Sequence, residues 1–445
     1  MDMKHRTPLA LLAACAVVGA FAAAAAAVET VTYAMPEGGL RSAEILAVTK
    51  DDLKEFSARV KEGGKRQTLT IPSRLVVAYR LGDDEASNPW SKRLAKAYRL
   101  LAEGNLVTKD NVPGAEELFT SIAYSTEKGV PGQMEPIEPW HNMYALFHLI
   151  VTHYEVGRGG DKARLERGLK EVDQFLQRSD KPRGRTMDFD VPFTDRGVEG
   201  VRKAKIFSWG DSRLVPEVLL YKARLLRELG QTTEAAAAFE AVVEFVKKND
   251  LSPAVLCAAV LERADMESVG KASEAAEGIL RTAGNRLRME VTRQKEAWSQ
   301  NMVSQAANRA LLRGADLLLA SAEEKKVSFD VPLEKYQQLQ DGAAKEDPYL
   351  MTGSSAGIGI CLYEKGEGQR AYKILLGVAV LGREHPEQVA RSLYYLGLAA
   401  PRYAEEIDRA GGNGEIVRVE GKRWWNDLLE QFPASTWAKK VPAGK

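Results

Sequence analysis

Gly353-Ser354-Ser355-Ala356-Gly357 has the G-x-S-x-G spacing in which a strained turn between a strand and a helix can expose a nucleophilic serine. That chemistry needs a strand before the motif and, after it, a histidine activated by an acid. Only His385 follows, and the surrounding pattern is helical. The preferred reading is therefore a loop entering a helix over Ile358–Glu364, with serine satisfying free backbone amides. The other histidines besides His5 are His141, His148 and His153. His141 and His148 share a helix face but lie two turns apart, roughly 10 Å of rise, too far for one zinc ion without other ligands. His148 and His153 point in different directions. The sequence has no paired-cysteine zinc spacing, H-E-x-x-H, EF-hand loop or phosphate-cradling glycine loop. Neither a metal nor another cofactor is expected, no catalytic residue is assigned, and enzymatic activity is not the favoured reading.

Aromatic residues in and beside irregular segments offer a different chemistry. Trp140 follows Pro136-Ile137-Glu138-Pro139, Phe189 and Phe193 lie close together, and Trp209 ends Ile206-Phe207-Ser208-Trp209. Trp140, Phe189, Phe193 and Trp209 are candidates to line a groove for a peptide or a glycan. The competing reading is that they plug gaps between helices, because large aromatic side chains usually belong to cores.

The first 27 residues read as an address. Lys4 and Arg6 precede an apolar stretch from Thr7 to Ala27 that ends in alanines, as in a secretory signal peptide. A retained membrane anchor is the alternative, and Leu12-Ala13-Ala14-Cys15 also fits the short pattern of bacterial lipoproteins, so membrane contact would come through one of these. An extracytoplasmic location, periplasmic or secreted, is expected. Removing the segment takes away Lys4, Arg6 and Asp2, so 62 basic and 61 acidic residues become 60 of each. A neutral chain without long like-charged blocks gives no electrostatic case for nucleic acid. Cys257 and Cys361 remain, and they read as buried free thiols rather than a disulfide framework.

Residues 28–86 have the composition of a small mixed α/β segment. Thr30–Ala34, Ala43–Val48 and Gln67–Ile71 are strand-like. Thr49 and Asp52 resemble a capping box ahead of a helix with Leu53, Phe56 and Val60 on one face, stopped by Gly63-Gly64. From residue 87 to 445 the pattern is helical. Trp90, Leu94, Ala97 and Leu101 lead to Gly104, and Pro113 opens a helix with Ala115 and Phe119. Trp140, Tyr144, Phe147 and Val151 lead to the turn at 157–160 and a return through Leu165, Leu169 and Val172.

Three glycines share one spacing. Gly230, Gly270 and Gly366 are each followed five residues later by alanine (Ala235, Ala275, Ala371) and nine later by a bulky apolar residue (Phe239, Ile279, Leu375). Glycine ends a first helix in a conformation other residues resist, alanine permits close approach of a second helix, and the bulky residue fills the seam one turn on. Ala223 and Gly359 occupy the small-residue position seven before Gly230 and Gly366. These positions resemble the tetratricopeptide repeat family. Leu396-Gly397 and Trp424, Trp425, Leu428 and Phe432-Pro433 resemble a last repeat interrupted by Gly411–Gly414, and Gln431–Ala438 resembles the repeat ends of exported bacterial members. The likeness covers about half the mature chain, and the forty residues from Gly230 to Gly270 exceed the family's usual thirty-four. Phe189-Asp190-Val191-Pro192 recurs as Phe329-Asp330-Val331-Pro332, which a duplication or chance would explain.

The expected fold is mainly α, an α-solenoid of antiparallel hairpins, and the resemblance implies a scaffold that binds a protein or peptide in the bacterial envelope. A carbohydrate-binding protein or glycan-active enzyme on a helical toroid is the alternative, and a purely structural spacer a third.

Overall fold

The computed structural model describes residues 29–35, 39–80, 89–110, 112–125, 137, 139–195, 198–342, 347–382 and 384–442. The signal segment over 1–27, Cys15 and the expected boundary near residue 86 lie outside the described residues. The described residues form two compact units, those up to 266 with 294–302, and those of 267–293 with the ones from 303 onward.

The first unit opens with an antiparallel sheet of β1 (Thr30–Ala34), β2 (Leu40–Asp51), β3 (Glu55–Glu62), β4 (Lys65–Pro72) and β5 (Val76–Arg80), in the order β4-β3-β2-β1-β5. The helix expected to start near Thr49 and Asp52 and to stop at Gly63-Gly64 is instead the end of β2, a turn and β3. Phe56 and Val60 fit either period, but Ala58 between them is equally buried and Arg59 is exposed, which is the alternation of a strand. Gly63 and Gly64 have φ of +55° and +82°, so they close a hairpin into β4 rather than ending a helix.

Helices follow: α1 (Pro89–Ala102), α2 (Ala115–Ala123), α3 (Pro139–Gly157) and α4 (Lys162–Ser179). Asp161 starts α4 as its cap, accepting a hydrogen bond from the Arg164 amide. A two-stranded ribbon, β6 (Thr186–Asp195) with β7 (Val198–Phe207), comes next, where sequence reading expected irregular loops among helices. Its register pairs Met187 with Ile206 and Asp188 with Lys205, so an apolar pair and an opposite-charge pair meet across the ladder. Then come α5 (Val215–Glu228), α6 (Thr232–Asn249) and α7 (Pro253–Ser268). From α1 to α6 each helix packs on the next, and α1 on α3 and α3 on α5 besides. The sheet is part of the same core: Val31, Phe56 and Val60 cluster with Trp90, Leu94 and Phe119.

The second unit holds α8 (Ser273–Val291), most of α9 (Ala297–Lys325), α10 (Asp330–Gly342), α11 (Pro348–Glu364), α12 (Gly368–Leu381), α13 (Pro386–Arg409) and α14 (Glu415–Gln431). Here α10 to α14 pack consecutively, and α11 packs on α13. The chain is thus mainly α, with helices stacked as consecutive neighbours. Phe329–Pro332 enters α10 while Phe189–Pro192 lies in β6, so the repeated word has two structures. Proline permits both, being tolerated in the first turn of a helix and in the edge strands of a ribbon.

Gly230, Gly270 and Gly366 have φ of +79°, +72° and +86°. Around Gly230, Ala235 and Phe239 are fully buried, as are Ala371 and Leu375 after Gly366. Gly359 matches these: a Cβ there would meet Leu375 Cγ at 2.7 Å, so its bare backbone lets α12 close on α11. The unit at Gly270 departs from the expected spacing. Ala275 is exposed and Ile279 half-buried, while Ala276 and Leu280 are buried in their place. The reason is one extra turn residue. Helices α6 and α12 begin two residues after their glycine, but α8 begins three after Gly270, which moves its inward face one position along.

A Cβ on Gly230 would meet nothing within 4 Å, so conformation alone resists substitution there. Gly230→Ala should cost roughly 1–2 kcal/mol from the left-handed backbone. Urea denaturation of the first unit measures it, and an unchanged midpoint would mean the turn relaxes without strain.

Candidate functional site

The G-x-S-x-G segment is the middle of α11, which Asp347 starts ten residues earlier than the helix expected at Ile358 by capping the Tyr349 and Leu350 amides. No strained turn exists there. Ser354 Oγ donates to the Leu350 carbonyl, and Ser355 Oγ accepts from Gln340. The glycines make room for neighbours: a Cβ on Gly353 would strike Leu312, and one on Gly357 the Tyr336 ring. The motif is a packing stripe. Cys257 and Cys361 are buried free thiols, and burial pushes the Cys361 thiol up to about 12. Among the described residues no three histidine, cysteine, aspartate or glutamate side chains gather as a metal site.

Trp140, Phe189 and Trp209 are about 5–6 % exposed and belong to the first unit's core, so these three do not line a surface groove. The side chain of Phe193 lies outside the described residues. Trp140 stacks on His141, with ring centroids 3.5 Å apart. Phe189 and Trp209 instead flank Arg178, whose guanidinium carbon is 5.9 Å and 3.8 Å from their ring centroids. Arg178 is fully buried near the end of α4. Its Nε donates to the Phe207 carbonyl at 2.8 Å and its Nη1 to the Ala123 carbonyl at 3.3 Å. Asn142 Nδ2 donates to the Ile122 carbonyl at 2.7 Å, so two side chains cap the end of α2. Tyr124 Oη donates to Glu171, which supplies a counter-charge near Arg178 in its ionised form. Aromatic residues were visible in sequence, but the arginine that organises two of them was one among many.

A second buried network joins sheet to helices. Asp51, ending β2, pairs with Arg213 Nε at 2.8 Å, Tyr144 Oη donates to Asp51 at 2.9 Å, and Arg213 Nη2 donates to Tyr144 Oη at 2.6 Å. Arg224 on α5 grips Glu262 on α7 through Nε and Nη2, and the nearby carboxylate raises its pKa against the opposing effect of burial. In the second unit Arg391 and Tyr336 both donate to Asp316. These networks tie element to element, and each charge in them already has its partner.

One concave surface is lined differently. In the second unit a groove of about 410 Å³ lies between the end of α12, the start of α13 and the last turns of α14. Val389 and Leu393 form its buried floor, Val380 and Phe432 its edges, and Trp424, Asp427 and Gln431 one wall. Trp424 is held in place because its Nε1 donates to Tyr372 Oη at 3.1 Å, which in turn donates to Glu420 at 2.7 Å. No sequence spacing announces this groove, since its residues come from three helices.

No family model matches the sequence, and no curated protein matches it significantly. Among solved structures, the apo form of RapI is similar with a TM-score of 0.40 and 11 % sequence identity, covering 76 % of this chain and 77 % of that one. A likeness that distant does not bear on activity or partner.

Buried titratable groups make the first unit sensitive to pH. Burial holds His148 and His153 down at about 3, against 6.5 when free. His148 is enclosed by Tyr98, Phe119 and Phe147. Burial pushes Glu171 and Glu217 up to about 7, against 4.5 when free. Between pH 6.5 and 3 the unfolded chain binds protons at the two histidines that the native chain refuses, so acid lowers stability. Between pH 4.5 and 7 the native chain keeps protons on the two carboxyls that the unfolded chain has lost, so this pair loses stability as pH rises. The two slopes oppose from 4.5 to 6.5. Below 4.5 the histidines act without that opposition, each contributing about 1.4 kcal/mol per pH unit. His148→Leu should therefore flatten the acid limb between pH 4.5 and 3 by about that amount in urea titrations. An unchanged limb would show that His148 takes its proton freely in the native state.

Proposed function

We propose that this chain is an exported scaffold of tetratricopeptide-like hairpins that binds protein or peptide partners in the bacterial envelope. The observation that carries the reading is packing order: α1 to α6 in the first unit and α10 to α14 in the second each pack on the next, and alternate helices meet within both runs. Such stacking buries a continuous core through neighbours alone and leaves long faces free for partners. Export is supported by the charged start and apolar run of Met1–Ala27. Among the described residues no helix is long and apolar enough to cross a membrane. The sugar-binding alternative loses its support because Trp140, Phe189 and Trp209 are inside the core.

Two measurements test the proposal. Mass spectrometry of the protein from its native host should find a mature start near residue 28 in the envelope fraction; an intact Met1 in the cytoplasm would remove the export claim. Cross-linking in living cells should join the chain reproducibly to one or a few proteins. Absence of any such product across cross-linker lengths would remove the scaffold claim.

A further inference from the structure

We propose that the groove between α12, α13 and α14 accepts a short peptide segment in which apolar side chains flank a lysine or arginine. The inference rests on the protein-binding reading and names the partner's chemistry. The groove's volume, about 410 Å³, falls within the ~300–1,000 Å³ of specific ligand sites, enough for a few side chains. Its apolar surface is open to solvent: Val380 is 51 % exposed and Leu381, next in the chain, 84 %. An isolated exposed valine means little, but here Val380 lines one groove together with the buried Val389 and Leu393 and with Trp424.

Asp427 selects the charge. It is half-buried in the groove wall, and among the described residues it forms no ion pair or hydrogen bond. The acidic groups in the molecule's buried networks have partners, as Asp51, Glu262 and Asp316 do. An apolar ligand filling the groove would strip water from Asp427 without compensation, and an acidic one would add repulsion. A cationic side chain placed beside the apolar ones restores the lost interaction. Trp424, held through Tyr372, also lines the groove, and an indole ring is a group that guanidinium favours. Gln431 can both donate to and accept from the backbone of an extended segment.

The test uses the full mature chain and three labelled synthetic decapeptides, identical in their leucine and valine positions, with Lys, Ser or Glu at one central site. Fluorescence anisotropy should show the Lys peptide binding at least about tenfold more tightly than the Glu peptide, a difference of ~1.4 kcal/mol. Asp427→Lys should reverse that order, and the uncharged Val380→Ser should weaken all three peptides severalfold by removing apolar contact. Val380 is exposed and Asp427 half-buried, and circular dichroism checks that the variants remain folded. Equal binding of the three peptides, or an unaltered order in Asp427→Lys, would overturn the inference. So would self-association abolished by Val380→Ser, which would make a second copy the occupant. Cellular cross-links that persist in both variants would sink the groove and leave the scaffold reading standing; a wild type that cross-links to nothing sinks the scaffold reading itself.

Discussion

Arg178→Met is expected to destabilise the first unit by roughly 3–5 kcal/mol, the range for breaking a buried charge network by removing one partner. The side chain has no solvent exposure, and burial lowers its pKa to about 9 although Tyr124 and Glu171 favour the charged form. Methionine would fill much of the volume between Phe189 and Trp209 but could donate nothing. The carbonyls of Ala123 and Phe207 would lose their bonds at 3.3 Å and 2.8 Å, and Glu171 would lose a buried counter-charge. Arg178→Lys should recover part of the loss, since it keeps the charge without the planar fork. Urea denaturation followed by tryptophan fluorescence reads both variants. A Met variant within 1 kcal/mol of the parent would show that the ribbon's base and the end of α2 are held by packing alone. Since the chain has two compact units, the transition must be assigned to the first before a free energy is extracted.

Phe239→Ala should cost a similar amount, roughly 3–5 kcal/mol, through the cavity left in the seam of α5 and α6. Phe239, Ala235 and Ala223 are all fully buried, so the surroundings have little freedom to close over the void. The same seam predicts its own overpacking: Ala235→Leu should lose roughly 1–3 kcal/mol. The shifted unit supplies an internal control. On α8, after the Gly270 turn, Ala276→Leu should be costly and Ala275→Leu nearly neutral, because Ala276 is buried and Ala275 exposed. If Ala275→Leu proved the more damaging, the extra residue after Gly270 would not displace the face as described.

Legibility followed the range of the interaction involved. Glycine turns were readable because a φ near +80° is a property of one residue and its immediate neighbours. Buried seam positions at Ala235, Phe239, Ala371 and Leu375 followed from helical geometry counted from that turn. The same counting missed by one at Ala275 and Ile279, because turn length depends on how the next helix starts. Phe56 and Val60 were compatible with two periods, and only pairing with β2 and β4 makes their segment a strand.

The sequence by itself determined that most of this chain would be helices joined by tight glycine turns, since turn conformation and amphipathic spacing are local energetics. Tertiary structure alone decided that Ser355 lies within a packed helix, that Phe189 and Trp209 flank a buried arginine, and that Asp427 has no partner among the described residues beside an apolar groove. Burial and charge pairing join residues far apart in the chain, and their free energies exist only once those residues have been brought together.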